Sequence, residues 1–309
     1  MPLLSRMQLI TAKIETTYGT DSTPAGTNAM VAFDMSLTPI EQETDTRDVQ
    51  KQYLGDREIV VALNRAALEF SVELTGSGAA GTAPGFGALL RACGMSETIV
   101  ASTSVTYAPI SSTFESASIY FNLNGVQHKL LGARGTFSLD LQIKKIPKIK
   151  FKFTGLLGTI TDAAMPTATF TGFGTPLAVN NTNTTAFQLH SFSGVMSAFS
   201  MEMGIAVNHR NLVGGSEYIQ ITDRDVNGSV TIEAPTIASK DFFTTAKTAA
   251  SGNFTITHGT VAGNKVTVSG TKVQVANPKY TDLDGVAMLQ MDLNFRPTSG
   301  NDEVSIALT

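Results

Sequence analysis

The sequence predicts a mainly β fold of the α+β class, built from two tandem copies of one unit of strands with a short helix. Apolar and polar residues alternate with period two in several segments, residues 68–74 among them, which is typical of strands with one buried face. The order strand, strand, helix, strands occurs twice along the chain. Each copy also holds one short apolar stretch with helix-end signals.

The duplication rests on residues matched between the two halves. Self-similarity at this scale indicates repeated structural units. After a one-residue insertion, the match extends to a glutamate at the end of each second strand. The matched positions are Gly55, Glu58, Arg65 and Glu73 in the first copy, and Gly214, Glu217, Arg224 and Glu233 in the second.

The later elements of the two copies are matched in the same order. Residues 86–94 predict a helix that ends in glycine with Pro84 near its first turn, and residues 240–250 predict its counterpart after Ser239 as N-cap. Residues 137–143 are matched with residues 289–295, and the closing strands are residues 149–153 and 304–308.

These patterns divide the chain into four segments. Residues 1–30 are expected to be an extended N-terminal arm, and residues 31–157 a first domain. Residues 158–185, rich in Gly, Thr, Pro and Asn, are expected to be a linker. Residues 186–309 form the expected second domain.

The composition excludes several classes of protein. Of the 309 residues 16% are charged, against roughly 25% in an average soluble domain, so much of the surface is expected to lie against partners. A net charge of −4 gives no overall attraction to nucleic acid or anionic lipid. Cys93 is the single cysteine, which excludes an intrachain disulfide. With no run of 18 apolar residues and no secretory pattern, we expect a soluble chain made in a reducing compartment.

Two motifs imitate ligand sites, and we interpret both as structural. Residues 76–81 spell G-x-G-x-x-G, but the preceding strand alternates and the second copy has no glycine there, which favours a flexible connection over a dinucleotide site. Residues 223–228 match the start of a calcium loop, but its twelfth position is Ala234, which favours a turn. We therefore expect no cofactor, no metal site, no catalytic residues and no enzyme.

A basic stripe leaves two interpretations open. Lys148, Lys150 and Lys152 fall on one face of an alternating strand, which is compatible with nucleic-acid binding. No aromatic residues interleave on that face, since Phe151 and Phe153 are expected in the core. A solvated face, or an ionic contact with a neighbouring subunit, is favoured.

Taken together, an ordered set of segments resembles the tail tube proteins of bacteriophages with long non-contractile tails. The resemblance covers most of the chain and is weakest at residues 155–183. The segments are Ile14-Glu15-Thr16-Thr17-Tyr18-Gly19-Thr20-Asp21, Ser36-Leu37-Thr38-Pro39, Tyr53-Leu54-Gly55, Glu73-Leu74-Thr75-Gly76-Ser77-Gly78 with residues 86–94, and Gly228-Ser229-Val230-Thr231-Ile232-Glu233-Ala234-Pro235.

The resemblance implies a fold, an assembly and a function. Each domain is expected to be a β-sandwich or half-barrel with one flanking helix, and the sheets of neighbouring subunits close into stacked rings that form a DNA-conducting tube. Because family rings usually carry six tube domains, two per chain imply a trimer with pseudo-sixfold symmetry. A hexamer with the second domain as outer decoration is the alternative.

The resemblance also implies where the protein works and with which partners. The chain is expected in the virion tail after synthesis in the host cytoplasm. Expected partners are other copies of itself, the tape measure, terminator and distal tail proteins, and DNA that passes without specific binding; no membrane is expected. A capsid-decoration or adhesion protein is the alternative, although the chain has no Trp and only 6 Tyr for a carbohydrate groove.

Two sets of residues are candidates for these roles. Acidic residues on the faces turned away from the core are expected to line the lumen, where they keep the polyanion mobile; exterior sheet carboxylates are the alternative. The lumen candidates are Glu69, Glu73, Asp140, Glu233 and Asp292. The polar loop at residues 41–57 is expected to contact the next ring, with a mobile solvated loop as the alternative. Its candidate residues are Glu41, Glu43, Asp45, Arg47, Asp48, Lys51, Asp56 and Arg57.

Overall fold

A computed structural model describes residues 2–309 and confirms the mainly β class with two short α-helices. The strands are β1 (Gln8–Ile14), β2 (Ala32–Thr46), β3 (Ile59–Glu73), β4 (Met95–Val100), β5 (Ser104–Pro109), β6 (Ala117–Leu123), β7 (Val126–Gln142), β8 (Lys148–Leu157), β9 (Thr161–Asp162), β10 (Thr184–Leu189), β11 (Met196–Glu202), β12 (Ile205–Arg210), β13 (Tyr218–Arg224), β14 (Asn227–Glu233), β15 (Ser251–His258), β16 (Val266–Leu283), β17 (Val286–Phe295) and β18 (Ser305–Leu308). The helices are α1 (Gly87–Ala92) and α2 (Phe242–Lys247).

The same pairing scheme occurs in both halves of the chain. In the first half β1 pairs with β6, β6 with β7, β7 with β8, β8 with β3, and β3 with β2. In the second half β10, β15, β16, β17, β14 and β11 pair in the corresponding order. Each helix follows the equivalent strand, β3 or β14. The repeated order inferred from the sequence therefore has a counterpart in the topology.

Two of the matches drawn between the copies are wrong. By sheet position β7 corresponds to β16, and β8 corresponds to β17. Residues 137–143 are therefore not equivalent to residues 289–295, and residues 304–308 do not replace residues 149–153. Instead β18 pairs with β16 of the second half and with β5 of the first half, so it connects the two halves. An alternating pattern repeats every two residues, so it fits any half-buried strand and does not fix strand order.

The expected strand faces are confirmed by a core that runs through both halves. In the first half Phe70 lies 5.7 Å from Phe151 between ring centroids, and both side chains are fully buried. In the second half Phe254 stacks on Phe199 at 4.7 Å. Cys93 is fully buried beside α1, as expected for a small apolar side chain, and this burial raises the pKa of its thiol.

Part of the segment at residues 1–30, expected to be an extended arm, is instead built into the sheet. Residues 8–14 form β1, which pairs with β6 along its whole length, and Ile10 is fully buried. Just after β1, the carboxylate of Glu15 is also buried and accepts hydrogen bonds from the amide of Gly132 and the hydroxyl of Ser116. These contacts hold the segment in the sheet.

The second helix begins later than expected. Residues 240–250 were expected to be helical after Ser239, whereas α2 spans Phe242–Lys247. Its N-cap is Asp241, whose carboxylate accepts a hydrogen bond from the amide of Thr244 at 2.9 Å. The first helix lies inside its expected range.

Residues 158–185, the expected linker, contain the two-residue strand β9 and are otherwise irregular up to β10. The segment packs closely on the first half. The amide of Gly85 donates to the carbonyl of Gly172 at 2.7 Å, and the ring of Phe173 lies 6.3 Å from that of Phe86. Val179 is buried and forms backbone hydrogen bonds with Lys144 and Lys145.

The glycine-rich segment at residues 76–81 is fixed rather than flexible. The amide of Gly76 donates to the side chain of Asn264 at 2.9 Å, and that of Gly78 donates to the carbonyl of Gly263 at 3.0 Å. A Cβ at Gly76 would lie 2.0 Å from the Gly263 oxygen. The glycine is therefore required for the close approach of the two halves, which accounts for the motif without a nucleotide.

Candidate assembly surfaces

Eight strands lie side by side in one layer, in the order β2, β3, β8, β7, β11, β14, β17, β16. The halves meet where β7 pairs with β11, with Asp140 opposite Ser200 and Ser138 opposite Glu202. Both margins of this eight-strand layer pair on one side only among residues 2–309. One margin is β2, which pairs with β3, and the other is the end of β16 from Lys279, which pairs with β17.

All five lumen candidates lie on the face of this layer that points away from the core. Alternation places them there, because neighbours such as Leu68, Phe70 and Val72 are fully buried. Glu73, Asp140 and Asp292 belong to one row of cross-strand neighbours. Glu69 and Glu233 lie outside this row. The row consists of Glu73, Lys148, Asp140, Ser200, Ser229 and Asp292.

The basic stripe shares this face with the first-half carboxylates. The carboxylate oxygens of Glu69 lie 3.0 Å from Nζ of Lys150 and 3.2 Å from Nζ of Lys152. Hydrogen bonds from these two lysines lower the pKa of the Glu69 carboxyl. Lysines and carboxylates therefore alternate across β3 and β8 on this face, and Arg65 of β3 pairs with Glu41 and Glu43 of β2.

The second-half part of the face differs in charge. Strands β11, β14 and β17 contribute Glu202, Glu233 and Asp292 and contain no Lys or Arg, whereas the margin of β16 adds the exposed Lys279. Glu202 was missed by the sequence analysis, although it lies between Met201 and Met203, which are both buried. This alternation was the signal that identifies its face.

Most charged residues of the expected stacking loop are paired within one hairpin. Because β2 ends at Thr46 and β3 begins at Ile59, the loop spans residues 47–58 rather than residues 41–57. Glu41 and Glu43 lie on β2 and both accept hydrogen bonds from Arg65 at 2.9 Å. Donation from Arg65 lowers the pKa of the Glu41 carboxyl.

Closer to the tip, Arg47 pairs with Glu58 at 2.6 Å, and Arg57 pairs with Asp48. The carboxylate of Asp56 accepts a hydrogen bond from the amide of Arg57. The two remaining loop candidates, exposed and without a salt bridge in the described chain, are Asp45 and Lys51.

Apolar side chains stand at the tips of two hairpins. Leu54 is fully exposed at the tip between β2 and β3, beside the exposed Tyr53. Val213 is fully exposed at the tip between β12 and β13, the pair that continues β11 and β14. The match of Leu54-Gly55 with Val213-Gly214 was the signal that identifies this pair.

The calcium-like segment at residues 223–228 connects β13 to β14. Arg224 forms a salt bridge with the buried Glu303 and donates a hydrogen bond to the carbonyl of Ile110. Among residues 2–309 no group of three His, Cys, Asp or Glu side chains is arranged to hold a metal ion.

A family model described as phage tail tube protein matches residues 5–297. The match covers nearly the whole chain, including both halves of the eight-strand layer. The chain belongs to the phage tail tube protein family. No curated protein matches it.

Membership of the tail tube family confirms a structural role in the virion tail. The family is a structural one and is not known for enzymatic activity. A tail tube protein assembles with copies of itself and with other tail proteins. The match supports this role and not capsid decoration or adhesion. In the part of the chain that the structure describes, no helix is long and apolar enough to cross a membrane.

Proposed function

We propose that three copies of this chain close into a ring through the margins of their eight-strand layers, and that rings stack into the tube that conducts double-stranded DNA. Three layers of eight strands would give a closed barrel of about 24 strands, and closure removes the unpaired edges. The observation that carries the proposal is the β7–β11 junction, which already joins two equivalent units edge to edge. Each half then acts as one of six equivalent tube domains.

The β7–β11 ladder within the chain predicts the register in which β2 of one chain pairs with β16 of the next. Glu73 and Glu233 are structurally equivalent. The residue after each donates its amide to the carbonyl of Pro147 or Ala287, which directly precedes the residue opposite the glutamate, Lys148 or Met288. Through the ladders, Ser36 on β2 corresponds to Ser200, and Thr281 on β16 corresponds to Asp140. Since Ser200 lies opposite Asp140, Ser36 is expected opposite Thr281 of the next chain.

Both margins carry features that limit pairing to a short, specific stretch. Pro39 follows Thr38 on β2, and Pro278 precedes Lys279 on β16, with a register shift beside each proline. In the expected register Thr38 lies opposite Lys279, so both prolines fall at the same end of the new ladder. Prolines and bulges at sheet edges prevent indiscriminate pairing.

Cysteines at Ser36 and Thr281 are expected to cross-link the chains of a ring. Directly opposed residues of antiparallel strands have Cα atoms about 4.5–5.5 Å apart, within the range of a disulfide. Under mild oxidation the double variant Ser36→Cys/Thr281→Cys should run mainly as covalent trimer in denaturing electrophoresis. The native Cys93 is fully buried and does not compete.

The matched control pairs Ser36→Cys with Asp282→Cys, because adjacent strand residues point to opposite faces. This control should remain monomeric, as should each single variant. Covalent hexamers, or equal cross-linking in the control, would contradict the proposed ring.

We further propose that the free face of the layer lines the lumen. The second-half carboxylates Glu202, Glu233 and Asp292 then repel phosphate, while Glu69 holds Lys150 and Lys152 in salt bridges. DNA passes without specific binding, because few cations remain free to displace its counterions. Expected partners at the tube ends are the tape measure, terminator and distal tail proteins.

Reversing Glu202 and Asp292 to lysine is expected to slow genome ejection severalfold in phage that carry the variant. Each new lysine adds a phosphate contact, so the slowing should be strongest at low salt. Ejection can be followed by release of a dye-labelled genome at two salt concentrations. The exposed Asp162 on β9 lies outside the layer, and Asp162→Lys is the matched control. Unchanged ejection in the double variant would contradict the lumen assignment.

A further inference from the structure

The two exposed hairpin tips and two open cavities lie at opposite ends of the same strands. The Leu54 tip follows the end of β2, whereas the first cavity is lined by Phe33 at the start of β2 and Glu73 at the end of β3. The second half repeats this arrangement: the Val213 tip precedes β13 and β14, and the second cavity is lined by Glu233 at the end of β14. In a stack of rings, the tips of one ring therefore face the cavities of the next.

The cavities differ in size and in the charge of their rims. The second-half cavity measures about 900 Å³ and has Glu233 and Asp284 among its lining residues. Its apolar lining includes Phe187, Val195, Met196, Val286 and Met288. The first-half cavity measures about 350 Å³ and is lined by Phe33 and Ile146 together with Glu73, Asp140, Lys145 and Lys148.

The tips also differ in size. The Leu54 tip is the longer, and it adds the exposed ring of Tyr53; its charged side chains outside salt bridges are Lys51 and Asp56, which have opposite signs. The Val213 tip is shorter, its other exposed apolar residue is Leu212, and the carboxylate of Glu217 lies 2.8 Å from Nε2 of His209 across the hairpin. The larger tip thus matches the larger cavity, and the smaller tip matches the smaller cavity.

We propose that rings stack by inserting apolar plugs: the Leu54 tip enters the 900 Å³ cavity of a chain in the next ring, and the Val213 tip enters the 350 Å³ cavity. Because the charged loop residues are largely paired within the hairpin, the apolar side chains are the groups left to bind. Burial of a leucine or valine side chain away from water is favourable. Burial of an unpaired charge at the same position is costly. This inference rests on the proposed ring, whose own test is the trimer cross-link.

The double variant Leu54→Asp/Val213→Asp is expected to form rings and not tubes. In the Ser36→Cys/Thr281→Cys background it should still give covalent trimers, while electron microscopy should show at least a tenfold loss of hollow rods. The matched control is Ile99→Asp/Val261→Asp, which places two charges on exposed aliphatic positions outside the tips and should leave rods intact. Rods of normal number in the Leu54/Val213 variant would overturn the inference, whereas loss of trimers would overturn the ring itself.

A second pair of variants tests which cavity receives which tip. Leu54→Cys combined with Val195→Cys in the larger cavity should cross-link one ring to the next under oxidation. Leu54→Cys combined with Ile146→Cys in the smaller cavity should not, although both partner positions are exposed. Cross-linking of the second pair alone, or of neither pair in assembled rods, would overturn the assignment.

Discussion

Phe254→Ala is expected to lower the free energy of unfolding by about 3–5 kcal/mol, the usual cost of removing a large aromatic side chain from a core. Phe254 is fully buried and stacks on Phe199 with ring centroids 4.7 Å apart. Its edge contacts are Phe295 at 5.5 Å and Phe187 at 6.2 Å. These rings belong to β10, β11, β15 and β17, so a cavity at this point loosens the packing among four strands of the second half at once.

Urea denaturation followed by circular dichroism measures this loss on chains kept below the concentration at which rods form. The matched control is Phe170→Ala, since Phe170 is about half exposed in the irregular segment between β9 and β10. That variant should change the free energy of unfolding by less than about 1 kcal/mol. A Phe254→Ala loss as small as that of the control would contradict the packing described for the second half.

Glu15→Ala is expected to lower the free energy of unfolding by about 3 kcal/mol or more, because it leaves several buried donors without an acceptor. The side chain of Glu15 accepts hydrogen bonds from the amides of Gly19 and Gly132, both at 2.8 Å, and from the hydroxyls of Ser116 and Ser118 at 2.7 and 2.9 Å. These donors lie at the start of β6 and directly before it, on β7, and in the turn after β1. The single carboxylate therefore ties the N-terminal strand to the sheet.

Urea denaturation measures the loss of stability. Hydrogen exchange of the β1 amides reports directly on how firmly β1 is held in the sheet. Glu15→Gln retains one acceptor oxygen and should lose less stability than Glu15→Ala, while Lys13→Ala, an exposed position on the same strand, should be close to neutral. Equal stability of Glu15→Ala and Lys13→Ala would show that the carboxylate is not required.

Local patterns predicted the elements of this fold well. Alternation identified the buried faces of β3, β7 and β8, because a strand with one wet face must place every second residue in the core. Pro84 and Gly94 bracketed α1 correctly. The second N-cap was misplaced by two residues, since Ser239 and Asp241 carry equally suitable side chains and only tertiary contacts select between them.

Long-range relations were not accessible in the same way. The pairing of Glu69 with Lys150 and Lys152 depends on β8 lying beside β3, and alternation says nothing about strand order. The burial of Glu15 depends on donors roughly 100 residues further along the chain. The cavities at the strand ends are formed by separate turns, so no single segment carries a signal for them.

The mass and symmetry of isolated rings test the central claim most directly. Native mass spectrometry of rings formed by the Leu54→Asp/Val213→Asp variant measures how many chains close the barrel, and rotational averages of the same sample by electron microscopy give the symmetry. We expect three chains of 32.7 kDa, about 98 kDa in total, with six similar lobes around a single channel. A ring of six chains at twice that mass would contradict closure through the β2 and β16 margins.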